Sequence, residues 1–405
     1  MSEPLVIVGN GMAALRLVEE LGRRALGRYA IAVIGDEPRL AYNRVLLSSV
    51  LARDVSRNDI ELRSAGWWRD RGVTLLYGQR AASIDPAIRR VKLASGATLP
   101  FSKLVLATGS RAIRLRTPGM ELPGVMTFRD LHDVAALEAA ATAGRKAVVI
   151  GGGLLGLEAA YGLARAGIEV SVVHLMDRLM ERQLDPSAAA LLKQTLERKG
   201  IKVHLNAETV AIAGQQHAEG VLLKDGRLIE GSLIVVAIGI APNTGLAQST
   251  GLETGRGIVV DDVLQTTRTG IYAIGECAEH RGICYGLVEP AYEQAKVLAA
   301  HLAGEKARYD GSVLATNLKV SGVDVFSAGD FLGAPGTEQI LLNDPGIGAY
   351  KKLVIAKGRL AGAVLVGDTI DGSWYLELIR NGTDIEPIRD DLMFGRAMAT
   401  RARAA

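Results

Sequence analysis

Leu5-Val6-Ile7-Val8-Gly9-Asn10-Gly11-Met12-Ala13-Ala14-Leu15 is the stretch that decides the fold. Four consecutive apolar, mostly β-branched residues read as a strand buried on both faces, as in a parallel sheet. The glycines mark a tight turn, and from Met12 the apolar residues recur at helical spacing. A second β-branched run follows, ending in Asp36 and Glu37. Strand, glycine turn, helix and strand make a βαβ unit. The pattern returns in Arg145–Asp177, where Lys146-Ala147-Val148-Val149-Ile150 leads into Gly151-Gly152-Gly153-Leu154-Leu155-Gly156. Two such units predict two doubly wound α/β domains.

The segments after each unit also correspond. Val73–Leu76, Ser83–Asp85, Val91–Leu93 and Thr98–Pro100 read as strands, and Lys103–Ser110 is an apolar strand ending in a glycine turn. In the second half Ile201–Leu205, Val221–Leu223 and Leu233–Ile240 repeat that order. Gly270–Ala278 is a further strand into a glycine turn, and Glu289–Leu302 reads as a helix. Beyond about Ala315 the pattern changes. Hairpin-like Asp371-Gly372 and Asn381-Gly382 and one late helix predict a smaller α+β domain.

Composition narrows the function classes. The 405 residues are 48% hydrophobic and 22% charged, which fits a folded globular chain and excludes bulk disorder. A net charge of +3, with no basic tract interleaved with aromatics, argues against nucleic-acid binding. The longest apolar run, Leu233–Ala241, is too short to span a membrane, which takes about 20 residues. The N-terminus lacks the basic region of a signal peptide, so the cytoplasm is the expected compartment. Cys277 and Cys284 are the only cysteines, which excludes a disulfide scaffold, a Cys₄ zinc site and a four-cysteine cluster in these residues. No metal ligand set is expected.

The glycine motifs carry the chemistry. In G-x-G-x-x-A, Gly9 permits the turn, Gly11 lets a pyrophosphate approach the backbone, and Ala14 keeps helix and strand close. The helix N-terminus, with Met12 and Ala13, offers N–H donors and the positive end of a dipole. Asp36 or Glu37 then binds a ribose hydroxyl. In the second motif Gly151, Gly153 and Gly156 play the same parts, with Leu154 and Leu155 between them. The spacing puts His174 at the acid position, with Arg178 nearby, so NADH and NADPH both remain open. Two dinucleotide sites in one chain imply a bound flavin dinucleotide and an exchanging nicotinamide dinucleotide, with hydride passing between them.

The order G-x-G-x-x-A, Ala107-Thr108-Gly109, G-G-G-x-x-G-x-E, A-I-G-x-x-P-N and Gly275-Glu276-Cys277-Ala278 resembles the pyridine nucleotide–disulfide oxidoreductase superfamily. Asp36–Arg44 resembles the D-E-P-x-x-x-Y-[DN]-R segment of its rubredoxin and ferredoxin reductases. Met180–Asp185, Gly286–Pro290 and Asn317–Gly322 are similar to the flavin module of assimilatory NAD(P)H nitrite reductase large subunits and of nitrate reductase electron-transfer subunits.

The resemblance implies a glutathione reductase-like fold: two Rossmann-like domains, for FAD and NAD(P), plus a C-terminal α+β domain. The FAD domain is expected at 1–113 and 243–313, the NAD(P) domain at 114–242, and the third domain at 314–405. FAD contacts are implied for Arg44 at the pyrophosphate, Glu276 at the ribityl chain, and Ser48, Ala107, Thr108, Gly109 and Gly275. Gly239 is implied as a cofactor contact, and Glu158 as the residue that orients the nicotinamide.

Three departures bear on mechanism. Residues 38–50 contain no Cys, which excludes the thiol chemistry of disulfide reductases and thiol-dependent oxidases at that position. Ser49 stands where the electron-transfer group has the Lys that pairs with Glu158. No cluster or sirohaem ligands occur through Ala405, so nitrite reduction itself is not expected of these residues.

The expected function is transfer of electrons from NAD(P)H through FAD to a separate redox protein. That partner is a nitrite or nitrate reductase component with an Fe–S or sirohaem centre, or a rubredoxin or ferredoxin. An NADH oxidase and a non-catalytic flavin redox sensor are the alternatives, and a homodimer is left open. Cys277, Cys284, His280 and Trp67-Trp68 read as structural residues, and Arg396, Arg401 and Arg403 as a solvated tail.

Overall fold

The computed structural model describes residues 2–141, 144–320 and 322–401; Ser321 and Arg403 lie outside them. The chain divides into two compact units. Met1–Leu46, Val55–Arg111 and Ile240–Ser312 form the first; Leu47–Asp54, Ala112–Gly239 and Val313–Ala405 form the second.

The first unit is built on a five-stranded parallel sheet. Its order is Ile271–Ala273, Lys103–Leu106, Glu3–Val8, Tyr29–Gly35, Thr74–Tyr77. Leu5, Val6, Ile7 and Val8 are all buried, as the unbroken apolar run predicts for a central strand covered on both faces. Full burial of each side chain of that size contributes roughly 2 kcal/mol. The helix Met12–Arg24 turns Ala14, Leu15, Leu17, Val18 and Leu21 inward. The meander Ala81–Asp85, Arg90–Leu93, Thr98–Pro100 links Thr74–Tyr77 to Lys103–Leu106.

The second unit repeats the arrangement. Its parallel sheet runs Lys202–His204, Glu169–Val173, Lys146–Ile150, Leu233–Val236, Val125–Thr127. It has its own meander, Thr209–Ala213, Gly220–Leu223, Leu228–Glu230. The helix Leu154–Arg165 follows the glycine motif. The short helix Leu47–Leu51 also belongs to this unit, and a Cβ on Gly162 would lie 2.9 Å from Leu51.

The C-terminal residues of the second unit form a five-stranded antiparallel sheet. Its order is Ala315–Val320, Val323–Gly329, Arg359–Val366, Ala349–Ala356, Glu338–Asp344. The helix Gly372–Asn381 shares a core with it, through Phe326, Leu353, Leu365, Trp374, Tyr375 and Leu378.

Asp371-Gly372 and Asn381-Gly382 are not hairpin turns, contrary to the sequence expectation. They are the two ends of this helix. Gly372 is its first residue, and a Cβ there would sit 2.6 Å from the Phe326 ring. Gly382, at φ +55°, closes it in the left-handed conformation. A tight hairpin turn falls instead at Lys357-Gly358, with φ 52° and 69°, a pair of left-handed residues without the Asn-Gly signal.

Candidate functional site

The first cradle is set by what a side chain would strike. Gly9 has φ +117°, and a Cβ there would lie 2.0 Å from the Ala107 carbonyl oxygen. Its N–H donates to the Ile34 carbonyl at 2.8 Å, and the Ala107 N–H donates to Val8 at 2.7 Å. These bonds pin the turn to both neighbouring strands. Around Gly11 there is nothing within 4 Å of a would-be Cβ, so the space over the helix start is open. No side chain caps the helix, which leaves the amides of Met12, Ala13 and Ala14 without a side-chain acceptor.

Other segments converge on this cradle. A Cβ on Gly275 would come within 3.1 Å of Ala13, and the Gly275 N–H donates to Gln294 Oε1 at 2.7 Å. Next to it, Glu276 accepts from Ser110 Oγ at 2.9 Å. Thr108 and Asn243 exchange side-chain bonds with each other's carbonyls at 2.8 and 2.9 Å, and the Asn243 N–H donates to the Gly109 carbonyl at 2.9 Å. The sequence thus marks Thr108, Gly109, Gly275 and Glu276 but misses Asn243, Gln294 and Ser110, which hold them. Asn243, in the quoted P-N motif, was the available signal.

Asp36 is exposed at the strand end. Glu37 accepts from Tyr42 Oη at 2.7 Å and pairs with Arg44, whose guanidinium lies 4.9 Å from the Tyr42 ring centre. Arg44 is therefore oriented by Tyr42 and Glu37. Ser48 lies on the helix Leu47–Leu51 of the second unit, not in the first unit with the other expected FAD contacts.

The second cradle reproduces the first bond for bond. Gly151 has φ +121°, with a would-be Cβ 2.3 Å from the Ala237 carbonyl oxygen. The Gly151 N–H donates to Val173 and the Ala237 N–H to Ile150, both at 2.9 Å. Gly153 has open space around it, and no side chain caps the helix that begins at Leu154 and Leu155. A Cβ on Gly156 would lie 1.9 Å from the Gly151 carbonyl oxygen, so only glycine lets helix and turn meet this closely. Gly239, at φ +125°, accepts from the Ile113 N–H at 3.0 Å.

The matched bonds also give the register between the halves. Gly9 bonds Ile34 and Gly151 bonds Val173, so His174 corresponds to Gly35. Leu175 and Met176 then correspond to Asp36 and Glu37. Sequence spacing put His174 at the acid position; the hydrogen-bond register puts two exposed apolar residues there. His174 itself is buried. Its Nδ1 accepts from the Gly152 N–H at 3.0 Å, and its Nε2 meets Glu181 Oε2 at 3.1 Å. Because Nδ1 accepts, Nε2 carries the proton and donates to Glu181. Arg178 donates to Asp177 at 3.0 Å.

The middle motif residues make a reciprocal contact. In the first half Asn10 supplies the side chain: it donates to the Arg39 carbonyl at 3.1 Å, and a Cβ on Gly35 would lie 2.6 Å from it. In the second half the glycine is in the motif, and His174 fills the space, 2.7 Å from a would-be Cβ on Gly152.

Glu158 lies in the helix Leu154–Arg165, one turn before Gly162, and is 6% exposed. Burial pushes its carboxyl up to about 8. Among the described residues no cation or hydrogen-bond donor answers it, as expected with Ser49 in place of a lysine. Cys277 is fully buried, with Sγ 3.3 Å from the carbonyls of Leu106 and Ile274, and burial raises its thiol. That is the setting of an inert thiol. His280 is buried with Nε2 on Asp262 at 2.9 Å and its ring against Tyr309. Trp68 is buried, with Trp67 edge-on to it. Among the described residues no group of three or more His, Cys, Asp or Glu side chains is arranged to hold a metal ion. None of their helices is long and apolar enough to cross a membrane.

Comparison with known proteins agrees with this geometry. Residues 3–307 match the pyridine nucleotide-disulphide oxidoreductase family, and residues 315–383 the rubredoxin NAD+ reductase C-terminal domain. The chain is 46% identical over 382 residues to the nitrite reductase [NAD(P)H] of Bacillus subtilis (strain 168), covering 94% of this chain and 48% of that protein. It is 44% identical over 382 residues to the assimilatory nitrate reductase electron transfer subunit of the same organism, covering 94% of this chain and 50% of that protein. The chain thus spans about half the length of these curated relatives. Among solved structures it is similar to the ferredoxin reductase for the CYP199A2 system from Rhodopseudomonas palustris, at 28% identity and a TM-score of 0.86, covering 97% of this chain and all of that one. Two matching cradles, the ordered motifs and the family match over residues 3–307 place this chain in the pyridine nucleotide-disulphide oxidoreductase family.

Proposed function

We propose that this chain takes hydride from NAD(P)H onto a bound FAD and passes the electrons to a separate redox protein of a nitrite or nitrate reductase system. The observation that carries this reading is the doubling of the cradle. Each half has an open helix start, a glycine that no side chain can replace, and a turn pinned to two parallel strands. Such a cradle fits a dinucleotide pyrophosphate, because backbone N–H groups and the helix dipole meet the phosphates. Only the first half has acids at the strand end, and only the first is ringed by Glu276, Thr108 and Gly109. FAD is assigned there and the nicotinamide dinucleotide to the second.

In the first cradle Gly9, Gly11, Met12, Ala13 and Ala14 hold the pyrophosphate, with Arg44 as counter-charge. Asp36 or Glu37 accepts from the adenosine ribose. Glu276, fixed by Ser110, accepts from the ribityl hydroxyls, and Ala107, Thr108, Gly109 and Gly275 complete the contacts. In the second cradle Gly151, Gly153, Leu154, Leu155 and Gly156 hold the pyrophosphate, and His174, Arg178 and Gly239 line the site. Glu158, neutral below about pH 8, keeps a proton with which to hold the carboxamide of the nicotinamide. Bound flavin supplies the conversion of a two-electron donor into single-electron delivery. The chain's part is position and electrostatics.

A rubredoxin or ferredoxin as acceptor is the second reading, favoured by the match of residues 315–383 to a rubredoxin reductase C-terminal domain. The domain division 1–113 with 243–313, 114–242 and 314–405, and the cytoplasm as compartment, go with either. The test is anaerobic mixing of the flavin-loaded protein with NADH and NADPH, followed by candidate acceptors. Rapid bleaching of flavin absorbance is expected, with fastest reoxidation by a nitrite or nitrate reductase cluster protein. Fastest reoxidation by rubredoxin or ferredoxin selects the second reading, and no bleaching by either nucleotide refutes both.

A further inference from the structure

The second cradle lacks strand-end acids, yet a carboxylate reaches its edge from farther along the chain. Glu181 Oε2 meets His174 Nε2 at 3.1 Å, and the other ring nitrogen of His174 accepts from the Gly152 N–H of the motif. His174 is thus a rigid spacer, fixed at one end to the pyrophosphate turn and at the other to Glu181. The Glu181 side chain is 24% exposed, and its Oε1 lies 4.0 Å from Arg182 Nε, too far for a hydrogen bond. One carboxylate oxygen is left for a ligand. Arg178 Nη1 donates to Asp177 at 3.0 Å while its Nε is buried with no hydrogen-bond partner among the described residues, and the Arg182 side chain is 83% exposed, in solvent.

We propose that Glu181, positioned by His174, takes over the work of the missing strand-end acid and selects a dinucleotide whose adenosine ribose carries free hydroxyls. Resting on the reading of the second cradle as the nicotinamide site, this makes NADH the electron donor. A carboxylate accepts a hydrogen bond from a 2′-hydroxyl but repels a 2′-phosphate dianion. Glu181 would touch the cofactor; His174 is a positioning residue, acting through Glu181 and Gly152.

The test uses the flavin-loaded protein, wild type and Glu181→Gln, with Glu181→Ala as a second variant. Two readouts are taken: kcat/KM for NADH against NADPH, and displacement of NADH by ADP against 2′,5′-ADP. In the wild type NADH and ADP should be preferred. In both variants the preference should fall by about tenfold or more, the loss of one charge-assisted hydrogen bond. His174→Ala should lower the NADH-over-NADPH preference in the same direction as the Glu181 variants, since the carboxylate it holds no longer meets the ribose, a change in selectivity that a merely structural role would not produce. A preference unchanged within twofold in the folded Glu181 variants overturns the inference while leaving the nicotinamide site standing. A wild-type protein that holds neither NADH nor ADP overturns the site reading, and the inference with it.

Discussion

Glu158 shows how one residue type carries a consequence its neighbours do not soften. Its carboxyl is buried with no cation against it among the described residues, so the folded chain keeps its proton up to about pH 8, whereas an ordinary glutamate releases it near 4.5. Between those values unfolding liberates a proton, so stability falls as pH rises through the window. Glu158→Gln keeps the shape and removes the titration. The variant should therefore gain melting temperature over the wild type, little at pH 5 and most near pH 8, where the difference is on the order of a few kcal/mol. Parallel melting curves across pH 5–8 would show Glu158 ionised throughout and the argument wrong. That no partner stands among the described residues was readable from Ser49, set against the lysine that the resembled electron-transfer group has there. Glu181 was not, because its role depends on a histidine ring that bridges two segments, and spacing does not report where a ring nitrogen points.

Among the elements, what could be read depended on whether the signal was local. The buried strands and both glycine turns follow from unbroken β-branched runs and from glycines that no other residue can replace. The ends of the helix Gly372–Asn381 did not, because Asp-Gly and Asn-Gly serve both as hairpin turns and as helix termini. The Phe326 ring, a tertiary contact, keeps the first of these positions glycine. That contact reverses an ordinary expectation. Alanine normally favours a helix over glycine by about 1 kcal/mol. Here the new Cβ meets a buried ring at 2.6 Å, and overpacking should cost about 1–3 kcal/mol. Urea unfolding of Gly372→Ala should give a lower midpoint than the wild type with an unchanged slope, and a higher midpoint would contradict the packing.

For the whole molecule, the repeat makes the two halves separable by experiment. Gly9→Ala drives a Cβ into the Ala107 carbonyl at 2.0 Å, and Gly151→Ala into Ala237 at 2.3 Å, each at a positive φ that alanine rarely adopts. Gly9→Ala should lose its flavin, measured as the visible absorbance of the purified protein. Gly151→Ala should stay yellow and be bleached by dithionite but not by NADH. Loss of flavin from both would mean the cradles do not serve separate ligands.

The reciprocal contact between Asn10 and Gly35, and between Gly152 and His174, has a bearing on how two such halves diverge. One side chain fills one gap, contributed from the turn in one half and from the strand end in the other. Moving the side chain across in a single substitution leaves either two side chains in the gap or none. The two positions are thus bound to change as a pair, and an intermediate sequence is less fit than either end. A descendant of either cradle that switches sides must cross that valley, so the arrangement works as a ratchet.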